Sequence, residues 1–140
     1  MEAPHSITEV AVSFGDLDPM GIVWHGNYYA FMEIGREAFG NEHGLDAMIM
    51  HRMGYFTPIV RSVIDHKAPL GYGDVVTVRT WMVPSPAAKI ILHYELRNKK
   101  TGQVVATGET IQVFLDRERK LVLDMPDFFA AWRQEHLPAE

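Results

Sequence analysis

The residues that could do chemistry crowd into one stretch, Phe14-Gly15-Asp16-Leu17-Asp18-Pro19-Met20-Gly21-Ile22-Val23-Trp24-His25-Gly26-Asn27-Tyr28. Asp18-Pro19-Met20-Gly21 sets an acid in a Pro/Gly turn between a strand-like run and a helix-like run. Such a turn lifts a side chain off the regular scaffold, and the helix that follows directs its unpaired first-turn amides at the same place. A carboxylate beside a helix N-terminus can attack a polarised carbonyl, or direct water to it, while the amides stabilise charge developing on oxygen. An aspartate with an ordinary pKa of about 3.9 is a weak base, so proximity must supply much of its effect. The same four residues also suit a plain turn in which Asp bonds its own backbone and Gly takes a positive φ. Asp16 either faces elsewhere or braces that turn. His25 precedes Gly26-Asn27, so its amide is placed to polarise a carbonyl. Its side chain fits equally a proton shuttle, an acyl contact or a partly exposed turn residue.

Other constellations carry less. The seven histidines show no HxH, HExxH or HxxxH spacing, which leaves a metal site little support. No serine stands in a G-x-S-x-G setting, and Ser85 lies between two prolines. Gly71-Tyr72-Gly73 lacks the third glycine and following helix of a nucleotide fingerprint. Trp24, Trp81 and Trp132 read as core or interface rather than a cofactor box. Cysteine is absent, which removes disulfides, Cys-ligated zinc and a Cys nucleophile together. No cofactor and no metal are expected.

The elements that must position the acid follow from periodicity. Ile7 to Phe14 mixes β-branched and polar residues and predicts a first strand; Asp18-Pro19 interrupts it. From Asn27 a helical period places Tyr28, Phe31, Met32, Gly35 and Phe39 on one face. Tyr29, Ile34 and Ala38 lie off that stripe, so the helix is apolar nearly all round and belongs in a core or an interface. Gly35 and Gly40 each cost about 1 kcal/mol against Ala, which predicts close packing against this helix. His43-Gly44 suits its C-terminal cap, and Leu45 to Met53 a shorter second helix. Four strand-like runs follow, Thr57 to Lys67, Val75 to Val83, Lys89 to Arg97 and Gln103 to Leu115. The short turns between them predict antiparallel neighbours. Leu121 to Leu123 fits a last short strand. Pro126 suits the first position of a C-terminal helix with Phe128, Phe129 and Trp132 as its buried stripe.

The chain is 140 residues long, enough for one domain with its own core, so residues 1–140 are read as a single α+β unit. A net charge of −5 with scattered basic residues argues against nucleic acid as the main partner. The denser groups, Asn98-Lys99-Lys100 and Arg117-Glu118-Arg119-Lys120, read as hairpin turns. The N-terminus has no signal-like apolar core, and no apolar run approaches the ~18 residues that span a bilayer. A cytoplasmic protein with no membrane partner is the expectation. One apolar helix against one curved sheet leaves apolar surface uncovered, which predicts a homo-oligomer.

The pattern Val12-x-Phe14-x-Asp16-x-Asp18-x-x-Gly21-x-Val23, with Asn27-Tyr28 and an apolar helix after it, resembles the hotdog-fold acyl-CoA thioesterases. The nearest likeness is to the 4-hydroxybenzoyl-CoA thioesterase group. Thr57-Pro58-Ile59-Val60, Gly73-Asp74-Val75, Gly108 and Val113-Phe114 extend the match over most of the chain. The resemblance implies a hotdog fold, in which a long central helix is wrapped by a curved antiparallel β-sheet. It implies hydrolysis of a small acyl-CoA, aromatic groups of the hydroxybenzoyl kind among the options, to the free acid and CoA. Asp18 would be the catalytic carboxylate, as nucleophile or as general base, and His25 would lend its helix-start amide. Gly21, Trp24, Tyr28, Glu33, Thr57, Arg61 and Lys89 would line the substrate. Glu33 matches an acid near the ring hydroxyl, while Lys89, and less so Arg61, would meet the coenzyme A phosphates. Family members pair through their sheets as dimers or dimers of dimers and build the site between subunits, so a homotetramer is one form implied. His25 stands where the 4-hydroxybenzoyl branch carries tyrosine and the short-chain acyl branch histidine, which leaves the acyl group open.

Two rivals stay in view. A hotdog hydratase or dehydratase resembles a pattern with Asp and His five residues apart, or a His/Glu pair across subunits; Asp18 and His25 are seven apart in number. A non-catalytic acyl-CoA sensor on the same fold would be expected to carry an attached DNA-binding or signalling segment, for which this chain has no room.

Overall fold

The alternation in the second half of the chain sets the architecture. Ile90, Leu92, Tyr94 and Leu96 are buried, whereas Ile91, His93, Glu95 and Arg97 look outward, so this run is a strand with one face on the core. A computed structural model describes residues 3–137. Its strands are β1 (His5–Ala11), β2 (Ile59–His66), β3 (Val75–Val83), β4 (Lys89–Asn98), β5 (Val104–Leu115) and β6 (Leu121–Val122). The helices are α1 (Tyr28–His43), α2 (Ala47–Arg52) and α3 (Asp127–His136), and short 3-10 turns cover Phe14–Asp16 and His25–Asn27.

The sheet runs β1-β3-β4-β5-β2, with β6 added to β5, and every pairing is antiparallel. Strand β2 therefore does not neighbour β3, the next strand in sequence; it crosses to the far edge and, among the described residues, pairs only with β5. The long helix α1 lies on the inner face and buries Tyr28, Phe31, Met32, Gly35, Phe39 and Gly40. Gly44, at φ 75°, ends it as its sequence position suggested. The close packing expected at Gly35 is real: a Cβ there would lie 2.6 Å from both Thr80 Oγ1 and Val78 Cγ1 on β3. Thr80 Oγ1 and Ser6 Oγ are buried without a hydrogen-bond partner, so α1 presses on the sheet where its polar groups are already unsatisfied.

One apolar cluster joins helix, sheet and α3. Phe39, Phe114 and Phe129 are among its fully buried side chains, each worth about 1.5–3 kcal/mol of transfer free energy. Tyr94 reaches Thr110 through a 2.7 Å hydroxyl–hydroxyl bond, and burial pushes its phenol up to about 12. The Trp132 indole N–H donates to the His43 carbonyl at 2.6 Å, which fastens α3 to the end of α1. No helix among the described residues is long and apolar enough to cross a membrane.

The first strand ends earlier than its β-branched pattern suggests. It stops at Ala11, and Phe14–Asp16 turns instead, because the Asp16 carboxylate accepts the Ser13 amide at 2.8 Å and bends the chain. Pro126 precedes α3 as its cap rather than filling its first position. Tyr29 and Ile34 stand outside the core, 42% and 40% exposed, as the all-round apolar helix implied for a surface with something still to cover it.

Candidate active site

The Asp18 loop is a miniature hairpin. Leu17 and Val23 pair as an isolated antiparallel bridge, and the Asp18 amide donates to the Ile22 carbonyl at 2.8 Å. The Gly21 amide returns to the Asp18 carbonyl at 3.0 Å, and Gly21 takes φ 80°, a conformation that strains side-chain-bearing residues. Asp18 Oδ1 accepts the Met20 amide at 2.8 Å. Thus the plain-turn bond and an outward carboxylate coexist: one oxygen shapes the turn, and the half-buried side chain still reaches a hollow.

Asp16 is the brace. Its carboxylate holds Ser13, and its carbonyl receives the Trp24 amide and the Asn27 side-chain amide, both at 2.9 Å. The Val23 amide donates to the Leu70 carbonyl at 2.9 Å, which ties the loop to the segment after β2. These bonds employ the amides of Asp18, Gly21, Val23 and Trp24. The amides of His25 and Gly26 fall in the opening turn before α1, where a helix has no carbonyl of its own to offer them. They are the donors available to an incoming oxygen.

The hollow has a volume of ≈ 380 Å³ and is lined by Asp18, Ile22, His25, Tyr28, His66 and Lys67, among others. Tyr28 has a buried ring, burial pushes its phenol up, and its hydroxyl has no hydrogen-bond partner among the described residues. His66 meets Tyr28 edge-on with centroids 4.8 Å apart, and meets His25 edge-on at 6.4 Å. His25 leans on Trp24 at 5.0 Å. His66 was invisible to motif spacing, because it ends β2 far along the chain from the Asp18 loop. Only a polar aromatic residue at the last strand position, just before Lys67-Ala68-Pro69, hinted at it.

A second cavity of ≈ 760 Å³ opens between the later half of α1, α2 and the inner faces of β4 and β5. Phe39, Met50, Ile90 and Leu92 make it apolar, and Glu33, Thr57 and Gln112 give it polar groups. Glu33 chelates Arg36 with bonds of 3.0 and 2.7 Å, and the Gln112 side-chain amide donates to the Thr57 carbonyl at 2.7 Å.

The expected site residues therefore divide. Asp18, His25 and Tyr28 share the hollow, with Gly21 shaping its turn and Trp24 packed on His25. Glu33 and Thr57 line the larger cavity instead. Arg61 lies on β2, 3.7 Å from Glu109, and Lys89 is exposed at the start of β4; neither lines either cavity. No cluster of three metal-ligating side chains occurs among the described residues.

The thioesterase-like superfamily model matches residues 12–133. YneP of Bacillus subtilis, provisionally assigned as an acyl-CoA thioesterase, is 29% identical over 132 residues, 94% of this chain and 95% of YneP. The 4-hydroxybenzoyl-CoA thioesterase of Pseudomonas sp. strain CBS-3 is 27% identical over 123 residues, 82% of this chain and 87% of the enzyme. The crystal structure of the DHNA-CoA thioesterase from Staphylococcus aureus superposes with a TM-score of 0.81 at 26% identity, over 94% of this chain and 90% of that one.

Proposed function

The chain belongs to the thioesterase-like superfamily and has its hotdog fold, and on that premise we propose that it hydrolyses coenzyme A thioesters of aromatic acids with Asp18 as the catalytic carboxylate. The observation that carries this reading is that Asp18, His25 and Tyr28 line one hollow, with the unpaired opening-turn amides of His25 and Gly26 beside it. The thioester oxygen would take the amide hydrogens, each well-aimed donor worth roughly 3 kcal/mol in the transition state. Asp18 would then attack the acyl carbon to give a mixed anhydride, or draw a proton from water that attacks it. Aromatic acyl groups are favoured by the relatives, which include enzymes for 4-hydroxybenzoyl-CoA and DHNA-CoA. They are favoured also by an apolar cavity that carries Glu33 and Gln112 as partners for a ring hydroxyl.

The expected result is thiol release from benzoyl-, hydroxybenzoyl- and hydroxynaphthoyl-CoA in a panel that also holds short and medium alkyl acyl-CoAs and acyl carrier protein thioesters. Preference for the alkyl esters would overturn the aromatic assignment. Tight binding without any thiol release would point to a sensor instead.

The divided site gives a reason for assembly. Strand β2 is an open edge, with Ile59 and Val60 37% and 59% exposed, and an unpaired edge of this kind seeks another strand. Its His66 end lies at the Asp18 hollow, and its Ile59 end lies beside Thr57 and Pro58 of the larger cavity. Two copies joined antiparallel through β2 would set each protomer's Glu33 and Thr57 next to its partner's Asp18, as two-fold symmetry requires. Val60→Lys is expected to shift the protein from dimer, or dimer of dimers, to monomer in light scattering, with turnover lost in parallel. A wild-type protein that is monomeric and fully active would remove this arrangement.

A further inference from the structure

We infer that His66 is the acid that protonates the departing sulfur. The inference rests on the thioesterase reading of the hollow and adds a role that neither the carboxylate nor the helix-start amides can fill. Those groups act on the acyl carbon and its oxygen. The sulfur leaves with an electron pair, and an alkyl thiolate has a conjugate acid pKa of about 8.5, so at neutral pH its departure is helped by a proton.

His66 is placed to give one. It comes from the end of β2, a different element from the loop that holds Asp18, and it lines the same hollow. Its ring is held edge-on by Tyr28 and His25, and neither of its nitrogens has a hydrogen-bond partner among the described residues. An unbonded imidazole N–H fixed by ring contacts can turn its proton to a ligand without breaking an existing bond. The titratable groups that share the hollow are Asp18, His25, Tyr28 and Lys67. Both histidines line the hollow, and His25 also packs on Trp24 with centroids 5.0 Å apart, so the His25 variant is the control for the assignment.

The step balances. As the tetrahedral intermediate collapses, the carbon–sulfur bond breaks and its electron pair passes to sulfur. The imidazolium proton of His66 moves to that sulfur, which leaves CoA thiol and a neutral imidazole. Water then cleaves the mixed anhydride, and His66 recovers a proton from that water through solvent. Where Asp18 acts as general base, the proton it took from water is the one returned.

The test compares two leaving groups on one aroyl group: coenzyme A, an alkyl thiol, and 4-nitrothiophenol, whose thiolate departs without help. His66→Gln removes the acid, and His66→Phe keeps the edge contact with Tyr28. Both are expected to lose about 100-fold in kcat with the CoA ester, the low end of general-acid effects, and far less with the nitrothiophenyl ester. In the wild type, kcat for the CoA ester falls as rising pH deprotonates the acid, and this limb disappears in both variants. Equal losses on the two esters, no loss, or a leaving-group effect that follows His25→Gln instead would overturn the assignment. A wild type inert toward both esters would defeat the thioesterase reading itself, a different outcome.

Discussion

Asp18→Asn is expected to lower kcat for an aroyl-CoA by about 10³-fold or more while the protein keeps its melting temperature and its assembly. Loss of a positioned general base costs about 10²–10⁴-fold, and loss of a nucleophile more. The fold should not notice, for a physical reason. Asn presents the same side-chain oxygen to the Met20 amide, so the 2.8 Å bond that shapes the turn survives. The Asp18 backbone bonds to Ile22 and Gly21 do not involve the side chain. Steady-state kinetics with a thiol-reactive dye, beside a thermal melt, separates the two effects. Near-normal kcat in the Asn variant would remove Asp18 from the mechanism, whatever the position of its carboxylate.

Gly35→Ala is the change with the largest expected effect on stability. A methyl group at this position would meet Thr80 Oγ1 and Val78 Cγ1 at 2.6 Å, well inside contact distance. Both atoms belong to β3, inside the sheet, so relief requires α1 to lift from it or the strand to repack. Overpacking of this kind costs about 1–3 kcal/mol. A gain in helix propensity of about 1 kcal/mol offsets part of it. The upper half of the overpacking range is expected, because the same helix face is locked by Phe31, Met32 and Phe39. Denaturant titration at constant m-value measures it, and a variant as stable as the wild type would show that α1 is not pinned there. Activity is expected to fall as well, since α1 carries Tyr28 and begins beside the His25 and Gly26 amides.

Much of the architecture is legible in the residues. Period 3.6 from Tyr28 to Phe39 and period 2 from Ile90 to Arg97 report which faces meet the core, and both periods survive because local geometry and burial agree. The boundaries of β3 follow directly from its Val and Thr content, and Gly44 ends α1 because its backbone adopts a left-handed conformation. Where local chemistry outweighs pattern, the pattern misleads. Ser13 and Asp16 bond each other across a turn and end β1 at Ala11, although Val12 and Phe14 look like its continuation.

The sequence by itself determined the acid, its turn and the helix after it, since Asp18-Pro19-Met20-Gly21 and the amides before Tyr28 are neighbours along the chain. Short-range order of that kind is fixed by dihedral preferences and local hydrogen bonds. Tertiary structure alone decided that β2 crosses to the far edge of the sheet, beside β5. That crossing brings His66 onto Tyr28 and sets Thr57, before the other end of β2, in the larger cavity away from Asp18. Strand order depends on which long-range pairing buries the most apolar surface around α1, and no spacing between residues records that choice.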